Sequence, residues 1–239
     1  MDNKSKQDNL SSAYAEHFAS ELRAKKHRNK FERSVEKLRH LVEVDQIKSF
    51  TTGRCFDCSV GFGRWVEALD HIEDYTAMDV SPSFVEMVKE NFPHARVYQG
   101  DIRERIPESS ASFDTVMAIR TLPPIEGIPE ILSEMVRIAK PGGHIIFDYG
   151  RKPFNTSIAG VTGQSSAYDI PKIIDELPAK LVKRIPTNSF FPLMIKNSPF
   201  LTRAFSSRFN FVPMGVFVGL EKWLSRINYS GIFYVLEKE

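Results

Sequence analysis

The stretch Arg54-Cys55-Phe56-Asp57-Cys58-Ser59-Val60-Gly61-Phe62-Gly63-Arg64-Trp65 decides the fold of this 239-residue chain. Its first half reads as a strand that ends on the carboxylate Asp57, and its second half as a tight Gly61-x-Gly63 turn opening a helix near Arg64. Glycine reaches backbone dihedrals that other residues avoid and lets a ligand approach the main chain closely. The helix behind it offers unpaired N–H groups to an acceptor. A dinucleotide-binding loop carries a further glycine three residues on, where its helix packs against the strand. Here that position is Val66, which counts against a dinucleotide oxidoreductase.

Working outward, the pattern alternates strand and helix. Residues 54–59 are expected as a strand and 63–71 as a helix. Residues 75–79 form a second strand, followed by Ser81 as cap and Pro82 as first residue of a helix through Asn91. Strands follow over 96–99 and 113–119, an amphipathic helix over 125–139, then Lys140-Pro141-Gly142-Gly143 turning into a strand over 144–149. Such alternation implies an α/β fold, a mostly parallel sheet with helices on both faces, whose ligand lies at the carboxyl ends of the strands. Two acids fall there. Asp79 comes 22 residues after Asp57, the spacing of a ribose-binding acid, and Asp101 closes Gln99-Gly100-Asp101 after the third strand. Singly, each is an ordinary turn aspartate. Together with the glycine loop they face one crevice.

On these residues the chain resembles the class I S-adenosylmethionine-dependent methyltransferases. The similarity runs over 54–149 through Asp57-x-Ser59-x-Gly61-x-Gly63, Asp79-Val80-Ser81-Pro82, Gly100-Asp101, Phe113-Asp114-x-Val116 and Lys140-Pro141-Gly142-Gly143. It implies a Rossmann-like methyltransferase fold that binds S-adenosyl-L-methionine and releases S-adenosyl-L-homocysteine. Carried over from the family, Asp57, Ser59, Gly61 and Gly63 form the loop against the methionine part, and Asp79 takes the ribose hydroxyls. Val80 packs on the adenine, Asp101 with Ile102 meets its amino edge, and Ile119 with Arg120 lines the floor. Ser59 stands where the family usually has its first glycine, which requires a negative φ there. No metal is implied.

The flanks determine what the core acts on. Four parts are expected: an N-terminal helical cap over 1–45, the cofactor-binding core over 46–151, a helical insertion over 152–226 and a final core strand over 227–239. In the cap, Phe31, Val35, Leu38 and Val42 share one helical face. The insertion is crowded with phenylalanine, and between Pro178 and Ser230 it carries eight Lys or Arg against the single acid Glu221. Basic and aromatic together fit either a lid over the sheet or peripheral contact with anionic membrane. Lys and Arg number 32 against 30 Asp and Glu, so net charge singles out no partner. Cys55 and Cys58 sit three apart on a strand, pointing to opposite faces, and are read as inert core thiols.

The expected reaction is transfer of a methyl group to a small-molecule acceptor, an oxygen of a sugar, lipid or other metabolite. Candidate general bases are His17, Tyr14 and Tyr149, with Asp148 beside the last. After the fourth strand the chain reads Arg120-Thr121-Leu122-Pro123-Pro124, without the Asn/Asp-Pro-Pro-aromatic sequence of enzymes that methylate base amines. That argues against adenine as acceptor. An RNA methyltransferase and a non-catalytic scaffold of the same fold are the alternatives. The Met-Asp-Asn-Lys-Ser-Lys start lacks an apolar run, which points to the cytoplasm.

Overall fold

The strands anticipated around Asp57 assemble into one seven-stranded sheet in the computed structural model, which describes residues 35–123, 125–150, 155–158, 161–164, 168–189 and 229–239, with 219 and 223 singly. In chain order the elements are α1 (Val35–Ile47), β1 (Cys55–Asp57), α2 (Arg64–Ala68), β2 (Tyr75–Asp79), α3 (Pro82–Asn91) and β3 (Arg96–Gln99). Then come β4 (Phe113–Ala118), α4 (Ile128–Ile138), β5 (Ala139–Gly150), β6 (Asn155–Ile158), β7 (Val161–Gln164), α5 (Ile170–Asp175), β8 (Ala179–Ser189) and β9 (Tyr229–Lys238). Sheet order is β3-β2-β1-β4-β5-β9-β8, with β6 and β7 pairing separately. Neighbours among β1 to β5 are parallel, whereas β9 is antiparallel to both β5 and β8. The order turns back between β1 and β4, and a ligand crevice is expected outside the carboxyl ends at such a switch.

Side chains along the central strands alternate between two buried clusters, as a pleated strand covered on both faces requires. Phe56, Met78, Val116, Ile145 and Phe147 face one cluster, closed by Ile131, Leu132 and Met135 of α4 and Ile170 and Ile174 of α5. Cys55, Ala77, Met117 and Ile146 face the other, closed by Ile47 of α1, Trp65 of α2 and Val85 and Val88 of α3. Each large apolar side chain buried in this way contributes about 1.5–3 kcal/mol. Cys55 and Cys58 are free, buried and on opposite clusters, as their spacing implies.

The structure corrects the flanks. Within 152–226, expected to be helical, residues 179–189 form β8 and join the core sheet, 155–158 and 161–164 form a hairpin, and α5 is one short helix. The cations that suggested a basic helix, Lys180, Lys183 and Arg184, lie on an edge strand, where charge blunts unwanted pairing. Much of the Phe-rich segment and all of 1–34, including Tyr14 and His17, fall outside the described residues. Lys140 to Gly143, read as a turn, is absorbed into β5, and the register against β4 is irregular between Phe113 and Thr115. Among the described residues no helix is long and apolar enough to cross a membrane.

Candidate active site

At the carboxyl end of β1 the chain folds back on its own carboxylate. Asp57 accepts the Ser59 N–H at 3.0 Å and the Tyr75 O–H at 2.9 Å, and is almost wholly buried. Burial raises its pKa from 3.8 to about 6, while the two hydrogen bonds pull the other way. Asp57 therefore shapes the loop from below. Among the described non-glycine residues only Ala111 and Arg120 have positive φ, so Ser59 holds the negative φ its side chain requires.

The loop's glycines serve two purposes. Gly63 has φ 81°, and a Cβ there would stand 2.5 Å from the Phe92 ring of the α3 C-cap. Packing forces glycine at that point. Gly61 has φ 51° with nothing within 4 Å of where a Cβ would be, so its main chain borders open space. From the end of β2, Asp79 reaches this loop: one oxygen accepts the Gly61 N–H at 2.9 Å, and the other accepts the Ser81 N–H at 2.9 Å. Ser81 thus contributes its backbone; its hydroxyl caps nothing. Asp79 is 7% exposed, and burial raises its pKa against the backbone donors of Ser81, Gly61 and Val80. Each carboxylate oxygen has two acceptor sites, so neither bond saturates its oxygen.

A buried acid that keeps acceptor capacity beside an open glycine backbone suits a ribose diol, because ionised acceptors bind hydroxyls strongly. Val80, next in line, leaves 39% of its surface exposed. An apolar side chain beside the diol acid suits a purine face. Asp101 is brought to the same edge, where both of its oxygens accept from Arg103 Nε at 3.0 Å and one from Arg103 Nη2 at 2.5 Å. Ile102 beside it and Ile119 after β4 are buried. The residues present fit an adenosyl group.

Two functional candidates were invisible in the sequence. Glu43 of α1 is 1% exposed, and its Oε1 accepts from Arg120 Nη2 at 2.7 Å and Nε at 3.3 Å. Its Oε2 lies 3.9 Å from Arg64 Nη1. His40, one turn earlier, places Nε2 3.1 Å from the Arg64 carbonyl, and its ring packs edge-on to Trp65 at 4.7 Å. Burial, reinforced by the Arg64 charge, pushes His40 down from 6.5 to about 4, so it is neutral near pH 7. Their buried spacing, His40, Glu43 and Ile47, is helical, but polar residues in such a stripe read as solvated. Arg120, expected to line the floor, has its guanidinium on Glu43. At the end of β5, Asp148 accepts the Arg120 N–H at 2.5 Å, and the buried Tyr149 ring joins the core and meets Tyr168 edge-on. A separate cavity of about 360 Å³, bordered by Ile102 to Arg105 and by Glu130, Glu134 and Arg137 of α4, lies beside the Asp101 loop.

Residues 56–147 match the family described as a methyltransferase domain. Over that segment the chain is similar to the class I S-adenosylmethionine-dependent methyltransferases. The residues at the carboxyl edge of the sheet fit S-adenosylmethionine as the cofactor. A phthiotriol/phenolphthiotriol dimycocerosates methyltransferase of Mycobacterium leprae is 29% identical over 99 residues, a match covering 39% of this chain and only 36% of that relative. An S-adenosylmethionine-dependent methyltransferase from Mesorhizobium loti superposes with TM-score 0.56 at 14% identity, over 82% of this chain and 98% of that one. Geranyl diphosphate C-methyltransferase from Streptomyces coelicolor, bound to S-adenosyl-L-homocysteine, gives 0.58 at 10% identity over 82% and 75%. At these identities the structural likeness establishes the methyltransferase fold and no substrate. The methyltransferase core so defined begins after α1, leaving Glu43 and His40 outside the matched segment.

Proposed function

We propose that this chain transfers a methyl group from S-adenosylmethionine to an oxygen of a small-molecule acceptor of lipid character. The carrying observation is the junction of Asp79 with the open backbone of Gly61, inside a segment that matches a methyltransferase domain. The cofactor supplies a methyl group already activated on a sulfonium. The protein's task is then to hold, orient and exclude water. Asp79 would accept from the ribose hydroxyls, Val80 would cover the adenine, Asp101 would accept from its amino group, and the 59–63 loop would border the methionine end.

In this reading the end of β5, with Asp148 and Tyr149, would border the acceptor. Two observations favour a lipid-like one. The Mycobacterium leprae relative is named for a lipid substrate. Edge strand β8 exposes Leu181 and Val182, at 43% and 41%, among Lys180, Lys183 and Arg184. Such a strip suits an amphipathic substrate or an anionic membrane surface. Incubation with methyl-labelled S-adenosylmethionine and a cell extract, then partition between organic and aqueous phases, tests this. Label is expected in the organic phase. Label confined to the aqueous phase overturns the lipid reading, and no transfer by a protein that binds the cofactor favours the scaffold.

A further inference from the structure

We propose that Glu43, outside the matched methyltransferase segment, is a positioning residue that ties helix α1 to three sides of the cofactor crevice. The proposal rests on the crevice being the cofactor site. Arg64 is the first residue of α2, directly after Gly63, so its 3.9 Å ion pair with Glu43 Oε2 holds the glycine loop. Arg120 follows β4 and binds Glu43 Oε1 at 2.7 Å, while its N–H donates to Asp148 at the end of β5 at 2.5 Å. One carboxylate thus joins the loop after β1, the turn after β4 and the end of β5. Arg120 has φ 60°, a left-handed conformation that a long side chain adopts only when its surroundings impose it. The Glu43 bond at its guanidinium and the Asp148 bond at its N–H both restrain this residue. His40 adds a fourth tie, from α1 to the Arg64 carbonyl.

An ion pair that only stabilised the fold would be indifferent to the cofactor. One that sets loop geometry is linked to it, and linkage is reciprocal: a ligand that needs the loop in place must in turn hold α1 down. The test is amide hydrogen exchange of the full chain with and without saturating S-adenosylhomocysteine, beside calorimetric titration of Glu43→Gln and Glu43→Asp. Exchange over 35–47 should slow at least tenfold with ligand. Glu43→Gln should bind S-adenosylhomocysteine at least tenfold more weakly, with Glu43→Asp recovering part of the loss. If Glu43→Gln does not fold, the exchange experiment on the unaltered protein decides alone. Unchanged α1 exchange with bound ligand, or undiminished affinity in a folded Glu43→Gln, overturns the proposal. A native protein that binds no S-adenosylhomocysteine defeats the cofactor reading instead, a separate outcome.

Discussion

The two ends of the parallel strands treat charge differently. At the amino ends, acids and bases meet in the open: Arg54 pairs with Asp74 at 3.0 Å, and Lys140 with Asp114 at 2.8 Å. Such pairs contribute about 0–1 kcal/mol. At the carboxyl ends, Asp57, Asp79, Glu43 and His40 are all buried. Buried charge is costly unless every group is matched. Glu43 has its arginines, and Asp57 and Asp79 have N–H and O–H donors. A fold selected for stability alone has no reason to gather unfavourable charge at one edge. Its concentration where the glycine loop opens is what the proposed cofactor site at that edge would require.

The contrast is sharpest for single carboxylates. Removing Glu43, 1% exposed, leaves two arginines without their shared anion, and Glu43→Ala should cost about 3–5 kcal/mol by denaturant titration. Asp114→Ala, at a side chain 35% exposed, should cost at most about 1 kcal/mol by the same titration and leave cofactor affinity alone. Equal losses would erase the distinction.

The pH dependence sharpens it further. His40 falls from 6.5 to about 4 on folding, so the unfolded chain takes up the proton first. Its contribution is present above pH 6.5 and lost as pH falls toward 4. Asp57 rises from 3.8 to about 6, so its contribution is present below 3.8 and lost as pH rises through 6. Each amounts to about 3 kcal/mol, with opposite slopes that offset between pH 4 and 6. In Asp57→Asn, stability should therefore climb with pH across that window, and in His40→Gln it should fall. Parallel profiles in both variants would contradict this picture of the buried edge.

A smaller effect is expected at Gly63. Gly63→Ala adds a Cβ 2.5 Å from Phe92 at φ 81°, and should lower stability by about 1–3 kcal/mol. Gly61→Ala meets no neighbour and should cost about 1 kcal/mol, from its φ alone. A Tm series on the two variants distinguishes a packed glycine from one whose Cβ position is open.

Much of the core was legible because its signals are local. β2 over Tyr75–Asp79, β3 over Arg96–Gln99 and α3 over Pro82–Asn91 have the limits expected of them, set by Asp79, the Pro82 start and the alternation of apolar residues. β8 was not legible, since Lys180, Lys183 and Arg184 mask its period and its place is fixed only by pairing with the distant β9. The Glu43 bridge was hidden for the same reason: its partners lie 21 and 77 residues away. Of the sequence face drawn through Phe31, Val35, Leu38 and Val42, Val42 is buried beside Glu43, while Phe31 lies outside the described residues. The pairing of Asp79 with the Gly61 backbone needed the fold, although both residues stood out beforehand.

Calorimetric titration of S-adenosylhomocysteine into the native protein and into Asp79→Asn tests the central claim most directly. The native chain should bind one equivalent, and the variant, which keeps the side chain's shape but loses its charge, should bind about a hundredfold more weakly or not at all. Equal affinity in a folded Asp79→Asn, or no binding by the native chain, would contradict it.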